Sequence, residues 1–303
     1  MKLISKTFLL VTALAALPFS AKAADKDVQT ALNGLTLNAH LSLAEGKTLA
    51  DGVVLITHGT LAHNKMEITK ALQEALKERE VNSLAINLSF SINDRKSAML
   101  DCAIDHKHKH TDAMNEIAAW VGWLKKSGAS RIVLAGHSRG GYQTAWYAAE
   151  RMDPAITHVA LIAPGGSSGA PGNAGYTRTH GQPLNPLLEK AKRYVADGKG
   201  NELLKKVGLL YCKDTNVSAA SFVSYYDPAA LKNTKALLPM IKSPTLIVAG
   251  SEDNVIRGLV PAVKPMVSDK LKLIVVDGAG HFFRDLYLED VADGIVEFMG
   301  AGS

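Results

Sequence analysis

The apolar run 131–135 ends in Gly136-His137-Ser138-Arg139-Gly140-Gly141, and a second apolar stretch, 142–149, follows at once. A hydroxyl set between glycines where a strand turns sharply into a helix is lifted clear of the sheet, in position to act as a nucleophile. Larger residues at 136 and 140 would collide where strand and helix nearly touch. The plainer alternative is a Gly-rich turn with an incidental Ser, and the strand-turn-helix context argues against it.

Two later segments carry groups that handle protons. The buried run 245–249 leads into Gly250-Ser251-Glu252-Asp253-Asn254-Val255. A carboxylate at the C-terminal end of such a strand faces the crevice where open α/β sheets bind ligands. The run Leu271–Val276 leads into Asp277-Gly278-Ala279-Gly280-His281-Phe282-Phe283. Imidazole takes and returns a proton near neutrality. Of the ten histidines, only His281 follows a C-terminal strand in a glycine-rich loop.

The elements that must hold these groups follow from periodicity. Short hydrophobic runs at Val53–Thr57, 84–88, 131–136, 158–163, 245–249 and Leu271–Val276 are apolar on both faces and alternate with amphipathic segments, as in a parallel sheet covered by helices on both sides. Leu35–Leu43 alternates and is expected to be an antiparallel edge strand. Asn64 and Glu67 have capping-box spacing ahead of the stripe Ile68, Leu72, Ala75 and Leu76. Further stripes run through Met114, Ile117, Ala118, Val121 and Leu124, and through Leu288, Val291, Ala292, Ile295 and Met299. The expected class is a doubly wound, mostly parallel α/β fold. The rhythm breaks at about 165–240, first with Gly, Pro and Asn-rich loop chemistry and then with helical stretches at 187–196 and Ala219–Tyr226. An irregular insertion this long points to a cap or lid more than to a linker.

With these motifs in this order the sequence resembles the α/β-hydrolase family over nearly the whole chain after its first 23 residues. The resemblance implies the chain order nucleophile, acid, histidine, and so Ser138, Asp253 and His281 as a catalytic triad. Asp253 is preferred because the family places its acid three residues after the Gly, and Glu252 is the alternative. The resemblance further implies an oxyanion hole from the turn His58-Gly59-Thr60, formed by the backbone N–H groups of Thr60 and Arg139, with His58 and Asp277 structural. No cofactor or metal is needed for the acyl transfer so implied. Serine at the nucleophile position argues against the dehalogenase, epoxide-hydrolase and dienelactone-hydrolase branches. The leading reading is a carboxylic-ester hydrolase acting on small or medium soluble esters. The rivals are an amide or peptide hydrolase of the serine-aminopeptidase kind, whose cap would carry clustered acids where Glu189, Asp197, Glu202, Asp214 and Asp227 are scattered, and a non-catalytic binding protein on the same scaffold.

Asp105-His106-Lys107-His108-Lys109-His110 places three imidazoles at period two. They could hold a metal. The interleaved lysines and a helix starting near Thr111 favour a solvated loop beside the cleft instead, from which these histidines could touch substrate. Tyr194, Tyr211, Phe222, Tyr225 and Tyr226 could line an acyl pocket or pack the core of the cap.

The chain begins with a basic segment, an apolar run 7–18 too short to span a bilayer, and Ala21-Lys22-Ala23. Residues 1–23 therefore read as a cleaved secretory signal peptide, which implies a periplasmic or secreted protein with no stable membrane insertion. This segment carries Lys2, Lys6 and Lys22 and no acid, so removing it lowers the net charge of +5 by three. No nucleic-acid partner is expected from so small a charge. Cys102 and Cys212 lie outside the leader, and in an oxidising compartment such a pair is a disulfide candidate, with two buried free thiols the alternative. A hydrophobic share of 47% and the lack of a fixed repeat exclude disordered, fibrous and solenoid classes.

Overall fold

The computed structural model describes residues 24–151, 153–166 and 172–300; the expected signal peptide lies outside them. The elements in chain order are β1 (Ala24–Leu32), β2 (Leu35–Leu43), β3 (Val53–Thr57), α1 (Glu67–Glu78), β4 (Ser83–Asn87), β5 (Asp105–His106), α2 (Asp112–Lys126), β6 (Ile132–His137), α3 (Arg139–Glu150), β7 (Ile156–Ile162), α4 (Asn173–His180), α5 (Leu184–Ala196), β8 (Leu203–Leu209), β9 (Cys212–Ser218), α6 (Ala219–Tyr226), α7 (Thr234–Leu237), β10 (Thr245–Gly250), α8 (Leu259–Val263), β11 (Leu271–Val276) and α9 (Tyr287–Phe298).

Among the described residues, eight strands form one sheet in the order β1-β2-β4-β3-β6-β7-β10-β11. From β4 to β11 neighbouring strands are parallel, while β1 and β2 join antiparallel. The central strands bury both faces, so alternate residues serve two cores. Val53 and Leu55 of β3, with Ile132 and Leu134 of β6, pack with residues of α2 and α3 on one side. Val54, Ile56, Val133 and Ala135 pack with α1 and α9 on the other. This two-sided burial is why the strands read as unbroken apolar runs.

Between β7 and β10 the chain builds a separate layer with its own core of Tyr176, Leu184, Leu188, Leu204, Val217 and Phe222, among others. The hairpin β8–β9 is joined by β5, which pairs parallel with β9. The structure links Cys102 to Cys212 by a disulfide, with Cα atoms 5.3 Å apart, so the chain after β4 and the hairpin are tied covalently as well.

Four expectations are corrected. Strand β2 is not the edge; β1 flanks it, a strand whose sequence, ADKDVQTAL, carries too few apolar residues to signal itself. The Asn64 capping box does not form. Helix α1 starts after Met66, and Asn64 instead donates its side-chain amide to the Ala85 carbonyl at 3.2 Å. Part of the expected loop, Asn173–His180, is helix α4, ended by Gly181 in the left-handed region. Finally, His106, His108 and His110 are not solvated: they are 0%, 1% and 0% exposed, while Lys107 and Lys109 between them face out.

That burial has a structural reason. The segment is extended, so alternate residues face one side, and that side packs against α6 and α3, where the His110 ring lies 4.7 Å from that of Tyr142. His108 Nδ1 lies 2.9 Å from the Tyr225 hydroxyl, the His110 amide donates to Ser224 Oγ at 2.8 Å, and Ser221 Oγ donates to the His108 carbonyl at 2.5 Å. The three histidines thus form the seam between the sheet domain and the layer above it.

Candidate active site

Strands β3, β6, β10 and β11 all run parallel, so the loops leaving their C-terminal ends meet above one edge of the sheet. Ser138 leaves β6 with φ 56° and ψ −121°, a conformation costly for any L-residue. The glycines around it make that turn possible. A Cβ on Gly136 would lie 2.6 Å from both the Gly140 carbonyl oxygen and Thr144 Oγ1, and one on Gly140 would strike the carbonyl oxygens of Thr57 and His58. The expectation that glycine is required at both positions holds, and at 140 the obstacle is the end of β3.

Three of the expected residues come together. Ser138 Oγ lies 2.9 Å from His281 Nε2, and His281 Nδ1 lies 2.8 Å from Asp253 Oδ2. The side chains of His281 and Asp253 are each 5% exposed. Asp253 Oδ1 accepts from the amides of Val255 (2.7 Å) and Ile256 (2.8 Å), which fixes the carboxylate at both oxygens. Burial pushes this carboxyl up, but the His281 hydrogen bond and the two amides outweigh it and hold it below the usual carboxylate range. Glu252, the alternative acid, is exposed. Asp277 is also exposed and accepts from Ser251 Oγ at 3.1 Å, a link between neighbouring loops.

Gly59 sits against Ser138, since a Cβ there would be 3.5 Å from Ser138 Cβ, and Thr60 and Arg139 both line the cleft above it. Arg139 is the first residue of α3, where the opening N–H groups have no intrahelical acceptor. His58 braces the turn: it donates from Nδ1 to the Gly59 carbonyl (3.0 Å) and accepts at Nε2 from the Leu88 amide (3.1 Å). Burial lowers its pKa to about 3, so this imidazole is neutral.

Sequence reasoning gives no role to His137, whose neighbours Gly136 and Ser138 carry the turn. Its Nε2 donates to the His281 carbonyl at 2.9 Å, and burial, with the charge of His281 adding to it, lowers its pKa to about 4. A histidine pointing inward from a fully buried strand was the available signal. The sequence likewise gives no place to the Arg139 side chain. Its Nε donates to Thr60 Oγ1 at 3.3 Å, an Nη is 3.4 Å from His110 Nδ1, and its guanidinium lies 5.5 Å from the centre of the Tyr225 ring.

The cleft has a volume of about 870 Å³ and is walled by apolar and aromatic side chains from both layers, including Met66, Met99, Tyr211, Leu231 and Ile256. That size suits a small organic ligand. Tyr225, Tyr226 and Tyr211 reach it, whereas Phe222 is wholly inside the core of the cap layer. His108 is engaged on both ring nitrogens, by His106 and by Tyr225, and among the described residues no cluster of His, Cys, Asp and Glu has the form of a metal site.

The sequence matches no curated protein significantly. Among solved structures, Est1E from Butyrivibrio proteoclasticus, determined with bound ferulic acid, is 20% identical, with a TM-score of 0.65 over 90% of this chain and 98% of that one. A Pyrococcus furiosus esterase is 18% identical with a TM-score of 0.55, covering 92% and 91% of the two chains. A dienelactone hydrolase from Anabaena variabilis is 15% identical with a TM-score of 0.56, covering 93% and 99%. At such identities the likeness concerns the fold. A family model, by contrast, matches residues 53–297, from the strand before the His58 turn to the last helix, and by that match the chain belongs to the alpha/beta hydrolase family.

Proposed function

We propose that this protein is a serine hydrolase that cleaves carboxylic esters by acyl transfer through Ser138, His281 and Asp253. The observation that carries the reading is the unbroken hydrogen-bonded line from Ser138 Oγ through His281 to Asp253, at 2.9 and 2.8 Å, on the floor of an apolar cleft. In this reading Ser138 Oγ bonds to the ester carbonyl carbon as its proton passes to His281 Nε2. Asp253 orients the ring and stabilises the imidazolium. The oxygen that gains charge is met by the amides of Thr60 and Arg139, each such donor contributing about 10²–10³-fold. The bond to the alcohol then breaks as His281 returns its proton to the leaving oxygen. A water molecule repeats the two steps on the acyl-serine and releases the acid.

Esters are favoured over aminoacyl amides by the cleft wall. An aminopeptidase must hold a free ammonium, and among the described residues lining the cleft there is no carboxylate. The cap layer carries charged residues such as Lys190, Lys192, Lys205 and Lys206, which fits a substrate met in solution better than one met at an oil surface. A leader of secretory form and the Cys102–Cys212 bridge support export to the periplasm or beyond.

A fluorophosphonate probe tests the nucleophile. Labelling is expected in the wild type and lost in Ser138→Ala with the fold unchanged, and labelling that survives the substitution overturns the assignment. Rates on a panel of ethyl esters and aminoacyl anilides are expected to favour short or medium acyl esters, with no jump above the solubility limit. The mass of the exported protein should correspond to cleavage after Ala23.

A further inference from the structure

The cleft contains two cations, Arg139 and Arg178, and no anion among its described lining residues. Arg178 lies on the exposed rim, where water screens it. Arg139 is different. It is half-buried beside Ser138, and its contacts are with a hydroxyl, an imidazole and an aromatic face, none of which carries a compensating charge. His110 accepts from Arg139 at Nδ1, and burial holds the pKa of this histidine well below the usual range, so its ring is neutral.

A half-buried guanidinium without an acid is costly unless something else completes it. Two of its five N–H groups are used, by Thr60 Oγ1 and His110 Nδ1. These two contacts hold the planar group in place and leave three donors, enough for the paired N–H···O bonds by which arginine grips a carboxylate. Arg139 Nε is bonded to the side chain of Thr60, so the guanidinium sits at the turn where the ester carbonyl would be received.

We propose that Arg139 is a specificity-determining residue that binds a carboxylate on the substrate, so that the preferred substrates are esters carrying a free carboxylate, on the acyl or the alcohol side, rather than neutral esters. This rests on the hydrolase reading above and refines its substrate class. The substrate carries the anion that the cleft lacks, and the reaction leaves a dicarboxylate or a hydroxy acid as product.

The test compares matched pairs: monoethyl glutarate against ethyl pentanoate, with the charge on the acyl side, and 3-acetoxypropanoate against propyl acetate, with the charge on the alcohol side. For at least one pair, kcat/KM of the anion is expected to exceed that of the neutral ester by about ten-fold or more at low salt. The preference should shrink as ionic strength rises. Arg139→Gln should reduce the anion-to-neutral ratio by about ten-fold and Arg139→Lys should keep part of it, the ratio cancelling any general loss from altering this turn. A wild-type ratio of one or less in both pairs, with neutral esters turned over and Ser138 labelled by the fluorophosphonate, overturns the inference and leaves the hydrolase reading intact. No turnover of any ester together with no labelling overturns the hydrolase reading itself. The wild-type comparison needs no variant, so a poorly folding substitution does not affect it.

Discussion

His137 Nε2 donates to the main-chain carbonyl of His281 across 2.9 Å, so the residue before Ser138 holds the loop that presents the imidazole to Ser138. The β6 turn and the β11 loop are thereby positioned as one unit. Replacing His137 with Leu leaves a buried carbonyl without its donor, which costs about 1–3 kcal/mol. It also frees His281 to drift from Ser138, and misplacement on the order of 1 Å lowers turnover by about 10²-fold. The expected result is a lower midpoint of thermal unfolding and a kcat reduced far more than KM is raised. An unchanged kcat would show that other contacts hold the loop.

Acid should destabilise the fold before it protonates the carboxylates. His58 and His108, each lowered to about 3, His137, lowered to about 4, and His110, lowered well below its ordinary value, are all shifted chiefly by burial. The unfolded chain takes up these protons near pH 6.5 and the folded chain does not. Stability is therefore full above about pH 6.5 and is lost as pH falls toward 4, by about 1.4 kcal/mol per pH unit for each proton. Denaturant midpoints measured from pH 7 to pH 4 check this, and a flat profile over that interval would falsify it.

Glu116 should act in the opposite direction. Burial raises its pKa to about 7, although Ser89 donates to it from both its amide (2.7 Å) and its hydroxyl (2.6 Å). Its folded pKa is higher than its unfolded one, so its contribution is fully present below about pH 4.5 and is lost as pH rises through 7. In Glu116→Gln this loss disappears, and the variant should gain on the order of 3 kcal/mol relative to the wild type between pH 5 and pH 8. Equal pH profiles for the two proteins would mean that Glu116 ionises freely.

The Cys102–Cys212 bridge closes a sequence separation of 110 residues. In the chain-entropy model a loop of that size is worth about 4–5 kcal/mol. The double substitution to Ser should lower the unfolding midpoint, and a reductant should reproduce that shift in the wild type and leave the variant unaffected. A wild type insensitive to reductant would refute the estimate.

The legible parts of this fold are those with one dominant burial pattern. Strands buried on both faces, such as β3 and β6, appear as apolar runs within a residue or two of their ends. The candidate residues Ser138, Asp253 and His281, which the structure brings within hydrogen-bond distance, are legible because glycines mark the sharp turns that carry them. What was lost depended on partners distant in sequence. Strands β8 and β9 hold exposed Lys205, Lys206, Lys213 and Asp214, so their alternation is blurred and the sequence does not reveal the hairpin. The helix that the histidine run packs against, α6, is legible as an element, but nothing in the sequence shows that the two meet. The run's period of two was itself the missed signal: one face of an extended segment, awaiting a neighbour.

The anchoring of the layer above the sheet limits how that layer can move. A body attached only through the two ends of its insertion can swing about the line between them. Here the chain after β4 supplies a further covalent attachment through Cys102, and β5 adds backbone pairing to β9 beside it. That third tether turns a hinge into a tripod. The wall that this layer gives the cleft is thereby held at three points and not two, which restricts rocking about the line between the ends of the insertion.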